Sequence, residues 1–190
     1  MSISETHWIG HGKLQLQEGE TIIYSGREDN IHRQGVGILM SKNASRALID
    51  WSPISERIVQ ARFYSNHIKL TLVHVYALTE DAEEQVKDEF YTRLQDVLSS
   101  CKTHDMLDVT GDMNAKVGDN KQNYERVMGE HGLGQRNNNG ERLCEICDMN
   151  ELMITGTLFP HKTIHKATWT SPDGVTRNHV DSLAGNLGIL

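Results

Sequence analysis

Two stretches of this chain alternate apolar and polar residues and are rich in β-branched side chains. They are Arg57-Ile58-Val59-Gln60-Ala61-Arg62-Phe63 and Ile68-Lys69-Leu70-Thr71-Leu72-Val73-His74-Val75-Tyr76. Ser65-Asn66-His67 between them is a turn sequence, so the pair predicts an antiparallel hairpin. A period of two commits one face of such a hairpin to a core and fixes its register. The pattern then changes. Thr79 is placed to cap a helix whose first turn carries Glu80, Asp81, Glu83 and Glu84, where the helix dipole favours carboxylates. Val86, Phe90, Leu94, Val97, Leu98 and Cys101 follow at helical spacing as its expected buried stripe. Gly35-Val36-Gly37-Ile38-Leu39-Met40 reads as a short buried strand. A second helix is expected after Gly140, with Leu143, Ile146, Cys147 and Met149 towards the core. Trp169 sits on a short strand before the turn Ser171-Pro172-Asp173-Gly174, and Thr176 to Leu183 is its expected partner. No repeat, linker or low-complexity tract interrupts this order. Residues 1–190 therefore read as a single α/β domain, with mixed or antiparallel sheets flanked by helices.

Composition narrows the function classes. Hydrophobic residues make up 37% of 190 and charged residues 24%, the make-up of an ordinary water-exposed domain. No window approaches the roughly 20 apolar residues of a membrane span, and no basic-then-apolar leader opens the chain. The expectation is an intracellular protein, nuclear or cytoplasmic, not secreted and with no membrane partner. Cys101, Cys144 and Cys147 are an odd number outside any secretory context and read as reduced thiols. A net charge of -7 argues against gripping nucleic acid by bulk electrostatics. It leaves room for an enzyme that gathers carboxylates at its site and keeps a local basic rim. The rim candidates are His161-Lys162-Thr163-Ile164-His165-Lys166, with Arg57, Arg62 and Arg177.

The chemistry concentrates in one place. Met106-Leu107-Asp108-Val109-Thr110 reads as a strand that runs directly into Gly111-Asp112-Met113-Asn114. A carboxylate and a carboxamide two positions apart at a strand end can share a ligand while the strand holds them. The carboxylate can take a proton from water, and the amide can orient that water or a phosphate oxygen. The bland alternative is a polar turn in which Asp and Asn serve only the backbone; the four residues by themselves do not decide between the two.

Further segments carry a resemblance. Ile3-Ser4-Glu5-Thr6-His7-Trp8, Ser55-Glu56-Arg57-Ile58, Val75-Tyr76-Ala77 and Gly111-Asp112-Met113-Asn114-Ala115-Lys116-Val117-Gly118 are followed by Asn137-Asn138-Asn139-Gly140-Glu141. Thr157-Leu158-Phe159-Pro160-His161-Lys162, His165-Lys166-Ala167-Thr168-Trp169-Thr170-Ser171-Pro172 and Asn178-His179-Val180-Asp181 complete the series. In this order, from Ile3 to about Asp181, they resemble the endonuclease/exonuclease/phosphatase superfamily with its DNase I-like fold. Within it the chain is most similar to the apurinic-endonuclease-like domain of non-LTR retrotransposons of the RTE and BovB type. Proteins of the craniofacial development protein 2 type, which carry the same domain, look similar too.

The resemblance implies a four-layer sandwich, two packed mixed or antiparallel sheets flanked by helices, that hydrolyses phosphodiester bonds in DNA with Mg²⁺ or Mn²⁺. It implies that Glu5 holds the divalent ion and that Tyr76 lines the scissile phosphate. Asp112 would activate the attacking water, and Asn114 would orient water and phosphate. Thr168 would contact the phosphate, and Asp181 would orient a histidine further along. Departures accompany the matches. The family places a strand before Glu5 and closes with further strands bearing Ser-Asp-His, whereas nine residues without histidine follow Asp181 here. Ala77-Leu78 stands where Ala-Pro is usual, and Asp108 where an apolar residue is usual. The expectation is thus an incomplete domain. Its function is either retrotransposon-type nicking of DNA or, in a decayed retroelement copy, non-catalytic binding of nucleic acid or an unknown protein partner.

Other features have plainer readings. Cys144-x₂-Cys147 and His161-x₃-His165 match a loose zinc spacing, but the cysteines lie in a helical stretch and Pro160 spoils a ligand-bearing helix. Trp169 is expected in a core rather than on a base. Lys116 and Lys162 are expected on solvated surface.

Overall fold

The computed structural model describes residues 1–160 and the strand residues 169–170, 177–178 and 184–185. The chain divides into two compact units, Met1–Tyr76 with Cys101–Gly111, and Ala77–Ser100 with Asp112–Leu190.

The first unit is a stack of two sheets. β1 (Ser2–Ser4), β2 (His11–Gln15), β3 (Thr21–Ser25) and β4 (Val36–Met40) form an antiparallel sheet in the order β1-β4-β3-β2. β5 (Leu48–Ser55), β6 (Ile58–Phe63), β7 (Leu70–Tyr76) and β8 (Met106–Asp112) are successive neighbours in a second sheet. The expected hairpin is β6–β7, antiparallel, with Phe63 opposite Leu70 and Ile58 opposite Val75. Alternation puts Ile23, Val36, Ile38 and Met40 of one sheet and Val59 and Ala61 of the other into a common core. Fully burying an aliphatic side chain of this size contributes about 1.5–3 kcal/mol, so the shared interior holds this unit together. β5 contains Pro53, and its register slips between Pro53 and Ser55. Proline is tolerated there because β5 is an edge strand with a bulge. Between β4 and β5 lies a short helix, α1 (Lys42–Ala47), whose first turn is capped by Ser41 Oγ accepting from Ala44 N at 3.2 Å.

The second unit is built on α2 (Glu84–Ser100) and α3 (Asn138–Met149). β9 (Met153–Ile154) pairs antiparallel with β12 (Ala184–Gly185), and β10 (Trp169–Thr170) with β11 (Arg177–Asn178). The second of these pairs agrees with the hairpin expected around the Ser171-Pro172-Asp173-Gly174 turn.

The helices depart from expectation in several places; α2 ends at Ser100, so Cys101, expected on its buried stripe, lies half-buried beyond it. α2 begins at Glu84, not at Thr79, because the chain from Thr79 first makes a turn (Ala82 N to Thr79 O, 3.2 Å) and Glu80 is engaged elsewhere. Val86 is 41% exposed, and its place in the buried stripe is taken by Lys87, whose stem is buried while Nζ reaches Glu84 Oε1 at 2.9 Å. Met149 is 65% exposed at the end of α3; the helix buries Leu143, Cys144, Ile146 and Cys147 instead. All three cysteines are free thiols, as expected. Burial raises the Cys144 thiol to about 11. This is a core position and gives no support to the zinc spacing. Among the described residues no helix is long and apolar enough to cross a membrane.

Candidate active site

In the first unit, β1 delivers Glu5 and β7 delivers Tyr76. They lie 71 positions apart in sequence, and the Tyr76 hydroxyl donates a short hydrogen bond to Glu5 Oε1. Glu5 is exposed and adopts φ 56°, in the left-handed region that a non-glycine residue seldom occupies. The turn is held by Thr6 N donating to Gly35 O at 3.1 Å and His7 N to Gln34 O at 2.8 Å. Glu5 Oε2 has no hydrogen bond among the described residues. The pair therefore offers an exposed carboxylate fixed through Oε1.

Arg57 steadies the other partner. Its guanidinium lies 5.0 Å from the centre of the Tyr76 ring, and Nη1 donates to Tyr76 O at 3.0 Å. Burial lowers its pKa from 12.5, against the opposing fields of Tyr76, Glu56 and Glu5. It stays a cation at any ordinary pH. Arg57 was expected on a basic rim; it is a half-buried support for Tyr76 instead. Arg62 is likewise withdrawn from that rim. Its Nε and Nη2 grip the Asp105 carboxylate at 2.5 and 2.9 Å, and Thr71 Oγ1 adds a bond at 2.8 Å.

Beneath these residues His74 is 1% exposed and ties three strands together. Nε2 lies 3.0 Å from Ile3 O and 3.4 Å from Ser4 Oγ, and Nδ1 lies 3.2 Å from Thr110 O. Burial holds its pKa below 6.5. A neutral ring meets this surrounding by donating to one carbonyl and accepting from a hydroxyl at its other nitrogen.

The strand β8 ends on the expected motif. Gly111 has φ 133°, and a Cβ there would stand 1.9 Å from Val75 O, so only glycine fits. In the second unit the next residues alternate: Met113 and Ala115 are buried at 1% and 4%, while Asp112 and Asn114 are half-buried on the other side. Asp112 Oδ1 accepts from Asn114 N at 2.9 Å, and Asp112 O accepts from Ala77 N at 2.8 Å. Asn114, at φ 46°, donates from Nδ2 to Ala77 O at 3.0 Å. Both the polar-turn reading and the chemical reading predict the Asp112–Asn114 bond. That bond fixes the Asn114 backbone, and the bond from Nδ2 to Ala77 O fixes its carboxamide, as a group that orients a ligand must be.

Two residues also belong here, Asn139, given no role of its own from sequence, and Glu80, expected in the first turn of the preceding helix. Asn139 is 0% exposed, and its Nδ2 donates to Leu78 O at 2.8 Å and Asn114 O at 3.1 Å. Glu80 caps α3, its carboxylate accepting from Asn138 N at 3.2 Å and Asn139 N at 3.3 Å. Asn137 Oδ1 completes the cap from Gly140 N and also accepts from Lys116 N, both at 2.8 Å. The repeated asparagines before Gly140 were the only sequence signal for this arrangement.

Thus Glu5 and Tyr76 are brought together in one unit, and Asp112 and Asn114 in the other. Thr168 and Asp181 lie outside the described residues, as do His161, Lys162 and His165. Lys116 is exposed, as expected of a solvated lysine. Asp108 is half-buried on β8, and burial alone raises its pKa above 3.8. Among the described residues no three His, Cys, Asp or Glu side chains cluster as a metal site. Magnesium is commonly held by one or two carboxylates, with waters and substrate phosphates supplying the rest. Glu5, an exposed all-oxygen donor, fits that pattern.

Comparison with known proteins places these observations. No sequence-family profile matches the chain. Craniofacial development protein 2 of Bos taurus is 38% identical over 181 residues, which cover 95% of this chain and 30% of that protein. The chain thus spans under a third of this relative's length. The endonuclease domain of TRAS1, a telomere-specific non-LTR retrotransposon, superposes with a TM-score of 0.61 at 15% identity, covering 94% of this chain and 73% of that domain. An AP endonuclease from Archaeoglobus fulgidus gives 0.62 at 14% identity, covering 97% of this chain and 75% of that enzyme. At such low identities the structural likenesses speak for the fold, a mixed α/β sandwich of the DNase I-like kind.

Proposed function

We propose that the chain is a member of the endonuclease/exonuclease/phosphatase superfamily, a reading supported by its likeness to craniofacial development protein 2 and by its fold, and that it hydrolyses phosphodiester bonds of DNA with Mg²⁺ or Mn²⁺, in the manner of a retrotransposon nicking endonuclease. The observation that carries this reading is the Tyr76–Glu5 hydrogen bond, which joins two residues assigned to one site from distant parts of the sequence.

In this reading Glu5 holds the divalent ion through its carboxylate, with Oε1 fixed by the Tyr76 hydroxyl. The ion, when bound, supplies positive charge to the developing oxyanion. Tyr76 presents its phenol to a phosphate oxygen, steadied by Arg57. Asp112 accepts a proton from the attacking water. Asn114, with its backbone pinned by Asp112 and Asn139, orients that water and the phosphate. Thr168 and Asp181 keep the phosphate-binding and histidine-orienting roles implied by the resemblance.

The test is conversion of supercoiled plasmid to the nicked circle. Nicking that needs Mg²⁺ or Mn²⁺, stops with EDTA and requires more metal in Glu5→Gln supports the proposal. Nicking indifferent to EDTA contradicts the metal assignment. Salt-dependent DNA binding without turnover assigns a binding role instead of catalysis.

A further inference from the structure

We infer that Asn139 is the positioning residue for Asn114, acting as a clamp on the backbone rather than as a group that touches substrate. The inference deepens the proposed hydrolase reading and rests on it for its functional meaning. The geometry stands by itself. Asn114 has a left-handed backbone at φ 46°, and the helix and sheet ladders leave its carbonyl unclaimed. A single amide nitrogen, Asn139 Nδ2, binds that carbonyl at 3.1 Å and Leu78 O at 2.8 Å. Asn114 Nδ2 in turn binds Ala77 O at 3.0 Å. The 77–78 segment and the 112–114 turn are thereby stitched by two side-chain amides, one donated from the turn itself and one from α3 to both. Asn139 itself sits in the first turn of α3, where Glu80 and Asn137 satisfy the helix terminus. The clamp is therefore anchored in a capped helix and not in a loop.

The burial of Asn139 points the same way. Its Oδ1 is the buried side-chain atom without a hydrogen-bond partner among the described residues. Leaving a buried acceptor unsatisfied is costly, and an apolar residue of similar shape avoids that cost. An amide is retained in this core because its donor side has work that no apolar residue does: it fixes the carbonyl of a residue whose side chain is aimed at chemistry. Sites of this kind are held by neighbours whose own conformations are locked.

Amide hydrogen exchange followed by NMR, together with plasmid nicking, tests the clamp on wild type, Asn139→Ala, Asn139→Ser and, as a control, Leu143→Ala. Leu143 is buried in the same helix at 2% exposure, and its aliphatic side chain can make no hydrogen bond to the clamp. In Asn139→Ala, the Asn114 backbone amide is expected to exchange about tenfold faster than in wild type, while amides of residues 143–147 keep their protection. Asn139→Ser, whose hydroxyl can bind one carbonyl, is expected in between; it also serves if the alanine variant does not fold. Leu143→Ala should loosen α3 and Asn114 together. In nicking assays, Asn139→Ala should lower kcat with KM for DNA unchanged. Unchanged Asn114 exchange, or loss that only parallels α3, overturns the clamp whatever the activity. If Asn114 responds as expected but wild type never nicks DNA, the clamp stands and the hydrolase reading falls.

Discussion

The Tyr76 hydroxyl donates to Glu5 Oε1 across the two stacked sheets of the first unit, joining the end of β7 to the residue that follows β1. The carboxylate is thereby orientated before any ligand arrives, and the phenol is held by Arg57 from behind. A partner that orients a metal-binding group is typically worth about 10–100-fold in metal affinity or activity. Tyr76→Phe is accordingly expected to lower Mg²⁺-dependent nicking by about that factor while changing stability by no more than about 1.5 kcal/mol, the net worth of one hydrogen bond. A metal titration of nicking, with urea unfolding alongside, measures both. A large loss of stability with no change in metal requirement contradicts the assignment.

Gly111 admits no side chain. Its φ of 133° excludes L-residues, and a Cβ would meet Val75 O at 1.9 Å. Gly111→Ala is expected to cost about 3 kcal/mol or more, beyond the usual range of single substitutions. Urea unfolding gives the value; a cost below about 1 kcal/mol shows that β7 and β8 have room to separate.

The Arg62–Asp105 pair predicts an acid-sensitive contribution. The Arg62 hydrogen bonds, and then Thr71, hold the Asp105 carboxyl below its ordinary 3.8. A depressed carboxyl stabilises the fold above its unfolded value and loses that contribution as pH falls through the folded one. Arg62 is 28% exposed at its side chain, so solvent screening trims the pair. Asp105→Asn should cost about 2–3 kcal/mol at pH 7, and the gap from wild type should narrow below pH 4. Urea unfolding at pH 7 and pH 3 checks the sign.

His74 acts in a higher window. Burial holds its folded pKa below the ordinary 6.5, so the fold takes the neutral ring. The unfolded chain binds the proton first. Stability is full above 6.5 and falls as pH drops below it towards the folded value, by at most about 1.4 kcal/mol per pH unit. His74→Gln should flatten the stability profile between about pH 7.5 and 5.5. An unchanged slope places the titration on another group.

Several of these features were legible in the sequence, for identifiable reasons. The β6–β7 hairpin showed because alternation and a polar turn are local, and the Phe63–Leu70 register follows from them. The Gly111-Asp112-Met113-Asn114 turn showed because strand, glycine and polar pair are contiguous. β2 was invisible because four of its five residues, His11, Lys13, Leu14 and Gln15, are exposed and carry no core signal. The start of α2 was misplaced because Thr79 and the acidic run after it imitate an N-terminus. Glu80 actually spends its carboxylate on α3, a contact between residues 58 and 59 positions apart that no local pattern encodes. Lys87 and Asn139 were missed because burial of a polar side chain depends on partners brought by the tertiary fold. Glu5 and Tyr76 could be paired in advance only through the ordered resemblance.

The most direct measurement is the rate at which wild type and Asp112→Ala nick supercoiled plasmid in Mg²⁺, repeated in Mn²⁺. In the proposed mechanism Asp112 takes the water proton, so its loss should slow nicking by about 10²–10⁴-fold while plasmid binding persists. Equal rates in the two proteins, whether both nick or both are silent, contradict catalysis by this site.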